Sequence, residues 1–529
     1  VPPRTGLERK LVKIWSQVLN VDQRSIGTDS NFFEIGGHSL KLTQLVAKIH
    51  KKFDVKLKLQ DIFRLPTIRA LATYIKAAVP DRFESIEPVE KKAFYPLAPA
   101  QESMYILQQL DTDSTVYNMP VVMRLEGEIN RQKITNVFVT LIGRHESLRT
   151  SFHMQDEEPV QKIHQPDDIE FKIEYIEAGS REQGLGISVG ARRAVPSGLA
   201  SQEANSGVGA RRAVPEFDMN DLIDRFVRPF DLSQAPLLRA GLINIENEEN
   251  ILLLDMHHII SDGASMVIFI EEFISIYKGE NLPYPAYRYK DYAGWLSARP
   301  GKKILRRQEA FWLEEFAGEI PSLDLPADFT RPAVQNFAGK HINFEVNEEE
   351  VEALRALAFR ENATLYMALL AVFNILLTKL SGRQDIVVGT PVVGRRHEDL
   401  SQILGMFVNT LALRNNPAGE KSFTDFLRDV GNRSTAAFEN QDYPFEKLVE
   451  RVAGIRDTGR NPLFDVMLAR QDMDIHGIEM PGLKVVPLEY ENHISKFDLT
   501  LQMQEAEGKL ELSFEYCTEL FREETIIRF

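Results

Sequence analysis

The sequence predicts a multidomain protein in which a small all-α bundle is followed by a large α/β part built as two lobes. Three observations predict it. The chain has 529 residues, 43% of them apolar, which is too much for one ordinary hydrophobic core. Its first 80 residues carry helical periodicity only. From Tyr95 onward, strand-like and helix-like segments alternate.

In the N-terminal part, Leu7, Leu11, Trp15 and Val18 recur at helical spacing, as do Leu42, Leu45, Ile49 and Phe53, then Ile68, Leu71 and Ile75. Pro66 is placed to open the last helix. Three or four short helices give a thin core, enough for a platform but poor for an enclosed active site. Residues 80–92 (PDRFESIEPVEKK) are polar and aperiodic and read as an interdomain connector that lets the bundle move. The expected organisation is therefore a bundle at 1–80, a linker at 81–94 and the α/β part at 95–529. Its first lobe is expected at about 95–270 and its second at about 271–529. The segments at 116–127, 342–347, 384–393, 407–414 and 510–516 read as strands. Those at 135–145, 267–279, 351–361, 366–380 and 423–440 read as helices.

One segment breaks the pattern. Residues 179–216 are rich in Gly, Ala, Ser and Arg, and the octapeptide VGARRAVP occurs at 189–196 and again at 208–215. Two short copies cannot stack into a solenoid core, so the segment is expected to be a flexible surface insertion without chemistry.

With 77 acidic against 62 basic residues, a net charge of −15 and no basic blocks, nucleic acid is excluded as the expected partner. The single cysteine, Cys517, lies in the alternating run LELSFEYCTEL and reads as a buried, inert thiol, consistent with a reducing, cytoplasmic setting. No stretch approaches the roughly 18 apolar residues of a membrane span, and no signal pattern opens the chain. Starting at Val1 without Met and stopping within a helical pattern, the chain is expected to be part of a longer polypeptide, acting as a monomer.

Two stretches carry chemistry. In DSNFFEIGGHSLKLTQLVAKI, Ser39 follows Gly36, Gly37 and His38 at the head of an amphipathic helix. The glycines permit a tight turn, and a helix start presents free N–H groups and a positive dipole end to a phosphate. On those grounds alone, Ser39 could equally be a helix cap. The whole string resembles the modification site of acyl and peptidyl carrier proteins, with the likeness covering about the first 80 residues. That resemblance implies 4′-phosphopantetheine on Ser39, attached by a phosphopantetheinyl transferase. It also implies, through the His before the serine, a condensation domain downstream.

The second stretch, ILLLDMHHIISDGASMVIFIEEFISIY at 251–277, is an apolar strand, a short loop and a helix. Its loop permits three readings: a metal site, a structural loop with His257 buried and hydrogen-bonded and Asp262 paired to an arginine, or a catalytic loop with His258 facing a substrate channel; the last two combine, with His257 and Asp262 structural and His258 catalytic. HHIISDG resembles the HHxxxDG signature of condensation domains and chloramphenicol acetyltransferase-like acyltransferases. Six further blocks of that family follow the family order: PLAPAQESMYILQQL, RHESLRTSF, YKDYAGW, LGMFVNTLALR, NQDYPFEKLV and RDTGRNPLFDVM.

The resemblance implies a peptidyl carrier and condensation didomain of a nonribosomal peptide synthetase, similar in wording to the tyrocidine and gramicidin type. The fold it implies is a four-helix carrier followed by two acyltransferase-like lobes with a tunnel between them. His258, with His257, Asp262 and Gly263, is the implied catalytic set, and no metal is expected. Asp262 is expected in a salt bridge, with Arg395 the candidate partner, and Gly263 is expected to permit a backbone conformation or close approach at the tunnel. Arg144 and Arg149 are expected to hold a helix by ion pairing, and Tyr289, Tyr292 and Trp295 to pack.

The implied substrates are an upstream peptidyl or aminoacyl thioester and the amine of a downstream aminoacyl thioester, and the implied partners are adenylation and carrier domains of the same synthetase. An L-configured donor is favoured, because no epimerisation domain intervenes. A terminal macrocyclising condensation domain or a catalytically silent recruitment platform are the alternatives.

Overall fold

The computed structural model describes residues 1–177, 219–244, 249–454, 457–471, 478–488, 490, 493–506 and 508–529. The repeat-bearing stretch expected to be an insertion, 179–216, lies outside the described residues.

Four helices form the N-terminal bundle: Gly6–Leu19, Ser39–Phe53, Leu59–Arg64 and Ile68–Ala77. The apolar positions that set their periodicity, among them Leu11, Trp15, Leu45, Ile49, Ile68 and Leu71, are fully buried. The first helix begins with a capping box between Thr5 and Glu8. Pro66 does not open the fourth helix as expected. Thr67 caps it by accepting from the Ala70 amide, while the Pro66 carbonyl accepts the Phe32 N–H at 2.8 Å.

Among the described residues, the α/β part holds two six-stranded sheets and one of three strands. The first large sheet runs Ile478–Met480, Leu483–Leu488, Asn118–Gly127, Glu249–His257, Leu238–Asn244 and Glu174–Glu177. The second runs Asn409–Asn415, Ile386–Val392, Val466–Arg470, Leu499–Ala506, Lys509–Cys517 and Gly339–Val346. Each expected strand and helix of the α/β part appears, shifted by a few residues at its ends.

The lobes are not the two contiguous halves expected. Helix Gly263–Tyr277 crosses the expected boundary near residue 270 and packs throughout against the first sheet, burying Met266, Phe269 and Phe273 with Phe138 and Leu254. Strand Leu483–Leu488 returns from the second half to pair with Asn118–Gly127, with Ile478–Met480 pairing on its outer edge, because Leu483 and Val485 complete the apolar face that this sheet turns to the helices.

The connector is also more fixed than its composition suggests. The Phe83 and Ile86 amides donate to Asp54 Oδ1 and Asp399 Oδ2 at 2.9 and 3.1 Å, and the Val89 amide to Asp291 Oδ1 at 2.9 Å. Phe83 lies 4.4 Å from the His397 ring, and Lys48 and Lys51 pair with Glu398 and Asp399 at 2.8 and 2.7 Å. The carboxylates of Asp54, Asp399 and Asp291, the last two buried, meet every third amide and supply what an aperiodic sequence cannot advertise, so the bundle rests on the second lobe.

Candidate active site

Helix Ser39–Phe53 starts at Ser39 itself, and its N-cap position is held by His38 in extended conformation. The cap reading of Ser39 is thus replaced: it is the first helical residue. Gly36 has φ +96°, which favours glycine, and a Cβ on Gly37 would fall 2.3 Å from the Phe32 ring and 2.4 Å from the Phe32 carbonyl. The pair of glycines therefore lets the chain fold tightly over Phe32 and deliver residue 39 to the helix start, where unpaired amides can receive a phosphodiester. These residues fit a phosphopantetheine attachment. Burial, aided by Arg470, Lys41 and Arg355, pulls the neighbouring His38 imidazole down to about 2, so it stays neutral.

The second constellation hangs on the end of strand Glu249–His257. His257 pairs in register with Asn118 and is fully buried. Its Nδ1 accepts from the Ile259 amide at 3.1 Å, which leaves Nε2–H facing Gln108 Oε1 at 3.3 Å. Desolvation lowers its pKa to about 3. Both nitrogens are engaged within the protein, so His257 shapes the loop.

His258 begins a short 3-10 turn, and its amide donates to the Tyr117 carbonyl at 2.8 Å. Its Nδ1 is buried, the ring lies against the backbone of His258 itself and of Ser261, and the residue as a whole is only half-buried. Burial first, then the positive charge of Lys496, lowers its pKa to about 4, with Asp262 acting in the opposite sense. Of the two histidines, His258 is the one whose imidazole remains available.

Asp262 caps helix Gly263–Tyr277 through Oδ1, which accepts from Ser265 N at 2.7 Å. The same oxygen meets Arg395 Nη2 at 3.0 Å, and Oδ2 accepts the Phe407 amide at 3.0 Å. The Arg395 pairing anticipated from sequence is present. With all of these bonds made inside the protein, Asp262 fastens the loop and does not face substrate. Gly263 has no positive φ, and a Cβ there would meet no protein atom within 4 Å. The expected backbone constraint is absent, and open space lies beside the residue instead.

Several neighbours were not singled out in the sequence. Gln101 and Gln108, seven residues apart on helix Pro99–Leu110, brace the loop, Gln101 Nε2 donating to the Ile259 carbonyl at 2.9 Å. Their signal was present, two amides on one helical face inside a family block. Lys496 had none: it comes from the second lobe and lines a cavity of about 600 Å³ whose wall also includes Thr115, Asn118, Met467, Gln502 and Glu515. Arg144 clasps Glu272 of helix Gly263–Tyr277 at 2.7 and 3.0 Å, and Arg149 donates to the His164 carbonyl at 2.9 Å. Tyr289 and Tyr292 pack on Phe407 with centroids 5.0 and 4.7 Å apart. Cys517 is buried and its thiol pKa raised by burial, as expected. Among the described residues no group of three His, Cys, Asp or Glu side chains forms a metal-binding set, and no single helix is long and apolar enough to cross a membrane.

Comparison with known proteins matches both parts of the chain. Residues 9–75 match the family model described as phosphopantetheine attachment site, and residues 91–200 and 211–529 match that of the condensation domain. The chain is 41% identical over 530 residues to tyrocidine synthase 2 of Brevibacillus parabrevis, covering 100% of this chain and 14% of that protein. It is 41% identical over 526 residues to bacitracin synthase 3 of Bacillus licheniformis, covering 99% of this chain and 8% of that one. The chain thus spans only a small part of the length of the curated relatives it matches. Its fold is similar to the X-domain of teicoplanin biosynthesis solved with OxyB, with TM-score 0.71, 21% identity, and 84% and 93% of the two chains covered. It is similar also to the first condensation domain of the calcium-dependent antibiotic synthetase in complex with a substrate analogue, with TM-score 0.63, 18% identity and 83% and 94% coverage. The chain therefore belongs to the condensation-domain family and carries, ahead of that domain, the phosphopantetheine-attachment carrier of a nonribosomal peptide synthetase module.

Proposed function

We propose that this piece of a synthetase receives 4′-phosphopantetheine on Ser39 and that its condensation domain joins a donor acyl thioester to the amine of an acceptor aminoacyl thioester beside His258. The observation that carries the reading is the contrast between the two histidines: His257 is fully buried and consumed by the Ile259 amide and Gln108, whereas the His258 ring, held against the backbone of His258 and Ser261, is half-buried. The carrier is proposed to span 1–80, the linker 81–94 and the condensation domain the remainder.

When bound to Ser39, the pantetheine group supplies the thiol on which an acyl chain is carried. Gly36 and Gly37 keep the turn before that residue tight, and the amides of the helix start can receive its phosphate.

At the second site the magnitudes argue for positioning. An α-amine of pKa ~7.7 is about one-sixth neutral at pH 7, so drawing on the free base costs ~1 kcal/mol. Passing its proton directly to an imidazole near 4 would run about 5 kcal/mol uphill. Alignment of two held reactants is worth ~7 to 11 kcal/mol. Neutral His258 therefore accepts a hydrogen bond from the free amine and aims its lone pair at the donor carbonyl. Once the nitrogen bonds to that carbon it becomes a far stronger acid, His258 can then take its proton, and as the intermediate collapses the C–S bond breaks and the donor sulfur leaves as a thiol with that proton. Backbone amides near Gly263 are proposed to face the carbonyl oxygen. Asp262, Arg395, Gln101 and Gln108 hold the loop that presents the ring.

The proposed partners are adenylation and carrier domains of the same synthetase and a phosphopantetheinyl transferase, with an L-configured donor and a monomeric, cytoplasmic protein. The loading half is tested by intact-protein mass spectrometry after incubation with coenzyme A and a broad-specificity phosphopantetheinyl transferase. A phosphopantetheine increment mapping to Ser39 supports it; folded protein without the increment contradicts it.

A further inference from the structure

Residues 395–407 form one segment that bonds to the histidine loop on one side and to the N-terminal bundle with its connector on the other. Toward the loop, Arg395 Nη2 donates to Asp262 Oδ1 at 3.0 Å and to Ser265 Oγ at 2.7 Å. The Gly405 amide donates to Ser265 Oγ and the Phe407 amide to Asp262 Oδ2, both at 3.0 Å. Asp262 and Ser265 open the helix that follows His258, so this side holds the loop in place. Toward the bundle lies the 3-10 turn Glu398–Leu400. Glu398 takes Lys48 Nζ at 2.8 Å, and buried Asp399 takes Lys51 Nζ at 2.7 Å and the Ile86 amide at 3.1 Å. Lys48 and Lys51 belong to helix Ser39–Phe53, and Ile86 to the connector.

The two sides share their supports. Arg395 Nη1 donates to the carbonyls of Leu400 and Ile403 at 2.8 and 2.6 Å, so the guanidinium that pins Asp262 is itself held by the end of the turn that receives the bundle. His397 sets the start of that turn. Its Nδ1 accepts the Asp399 amide at 3.3 Å, which leaves Nε2–H to donate to the Glu84 carbonyl of the connector at 2.9 Å. Connector, turn and guanidinium thus form a continuous run of hydrogen bonds that ends on the histidine loop.

We propose that Lys51 and Asp399 are positioning residues for condensation: the carrier bundle and its connector, seated on the turn Glu398–Leu400, brace through Arg395 the loop that presents His258. This rests on the role of His258 given above. The carrier then has a second part to play besides holding the acyl chain. Asp399 is buried, and its charge depends on the Lys51 ammonium and the Ile86 amide. Without the cation the carboxylate gains by turning toward water, and the turn that moves with it draws the Leu400 carbonyl away from Arg395. A guanidinium that loses an acceptor no longer fixes its contact with Asp262 as closely. A shift near 1 Å at the reacting groups is enough to slow the reaction strongly. Lys48 and Glu398 are more exposed and contribute less.

The test is hydrogen exchange by mass spectrometry on the full chain, following peptides that span 81–89 and 258–267 in wild type, Lys51→Glu, Lys51→Met and Lys51→Arg. Lys13→Glu, on an exposed position of the first helix, is the charge control. Lys51→Glu and Lys51→Met should speed exchange in both peptides about tenfold, while Lys51→Arg and Lys13→Glu match wild type. The same proteins, with Ser39 unloaded, are given N-acetylcysteamine thioesters of an N-blocked and a free amino acid, which need no carrier for delivery. Here kcat should fall about tenfold in Lys51→Glu with KM unchanged. Faster exchange at 81–89 with none at 258–267 would overturn the proposal, and so would unchanged exchange in both peptides, since Lys51 would then not hold the seat. Unchanged kcat in Lys51→Glu would overturn it for condensation. Normal condensation by His258→Ala would instead remove the reading on which it rests, whatever the exchange shows.

Discussion

Asp262 and Arg395 form a buried ion pair, Oδ1 to Nη2 at 3.0 Å, that ties the histidine loop to the segment leading out of strand Ile386–Val392. The guanidinium does more than neutralise a charge. It donates to the carbonyls of Leu400 and Ile403 at 2.8 and 2.6 Å and lies over the Phe407 ring. The loop carrying His258 is therefore held by groups far away in the chain.

Removing either partner leaves a buried charge uncompensated. Arg395→Ala and Asp262→Asn should each cost about 3 to 5 kcal/mol in unfolding free energy, read by urea denaturation, and should reduce condensation. Arg395→Lys should recover part of the stability but not the two carbonyl contacts. A loss below about 1 kcal/mol in Arg395→Ala would show that the pair does not anchor the loop.

The histidines make stability fall in mild acid. His257 binds its proton near 3 when folded and near 6.5 when unfolded, so as pH drops below 6.5 the unfolded state protonates first and gains. Between pH 6.5 and pH 5 this one group removes roughly 2 kcal/mol. His38 and His258, lowered to about 2 and about 4, add losses of similar size, so denaturation curves at the two pH values should show at least that loss, and His257→Asn should reduce it by roughly 2 kcal/mol without abolishing it.

Two glycines should respond differently to alanine. Gly37→Ala drives a Cβ into Phe32 and should unfold the turn before Ser39, lowering the rate of phosphopantetheine loading severalfold. Gly263→Ala meets no protein atom within 4 Å and should leave the melting temperature unchanged. If the amine or thioester passes there, the same change slows condensation about tenfold or more; full activity would put the substrate elsewhere.

Gln108→Ala removes the acceptor of the His257 Nε2–H and leaves that donor buried and unpaired, which should cost about 1 to 3 kcal/mol. Condensation should fall with Ser39 loading untouched. Equal loss of both activities would point to general unfolding.

Much of this was legible in the sequence, and the reason differs by element. Ser39 and the loop around His258 are read from contiguous strings, and long helices such as Leu365–Ser381 follow from unbroken apolar content bounded by Thr364 and Gly382. What was hidden depends on pairing between distant segments. Strand Leu483–Leu488 joins the first sheet because an edge there lacks a partner, which no local period reveals. The connector at 81–94 looks free until Asp399 and Asp291 are brought against its amides. Lys496 is an ordinary lysine in ISKFDLT until the lobes place it over Tyr117.

The most direct test of the central claim is single-turnover amide formation between a donor thioester loaded on Ser39 and an acceptor aminoacyl thioester, comparing wild type with His258→Ala. The account predicts roughly hundredfold slower condensation in the variant, or slower still, with the same melting temperature and the same loading of Ser39. Wild-type rates in folded His258→Ala would contradict it.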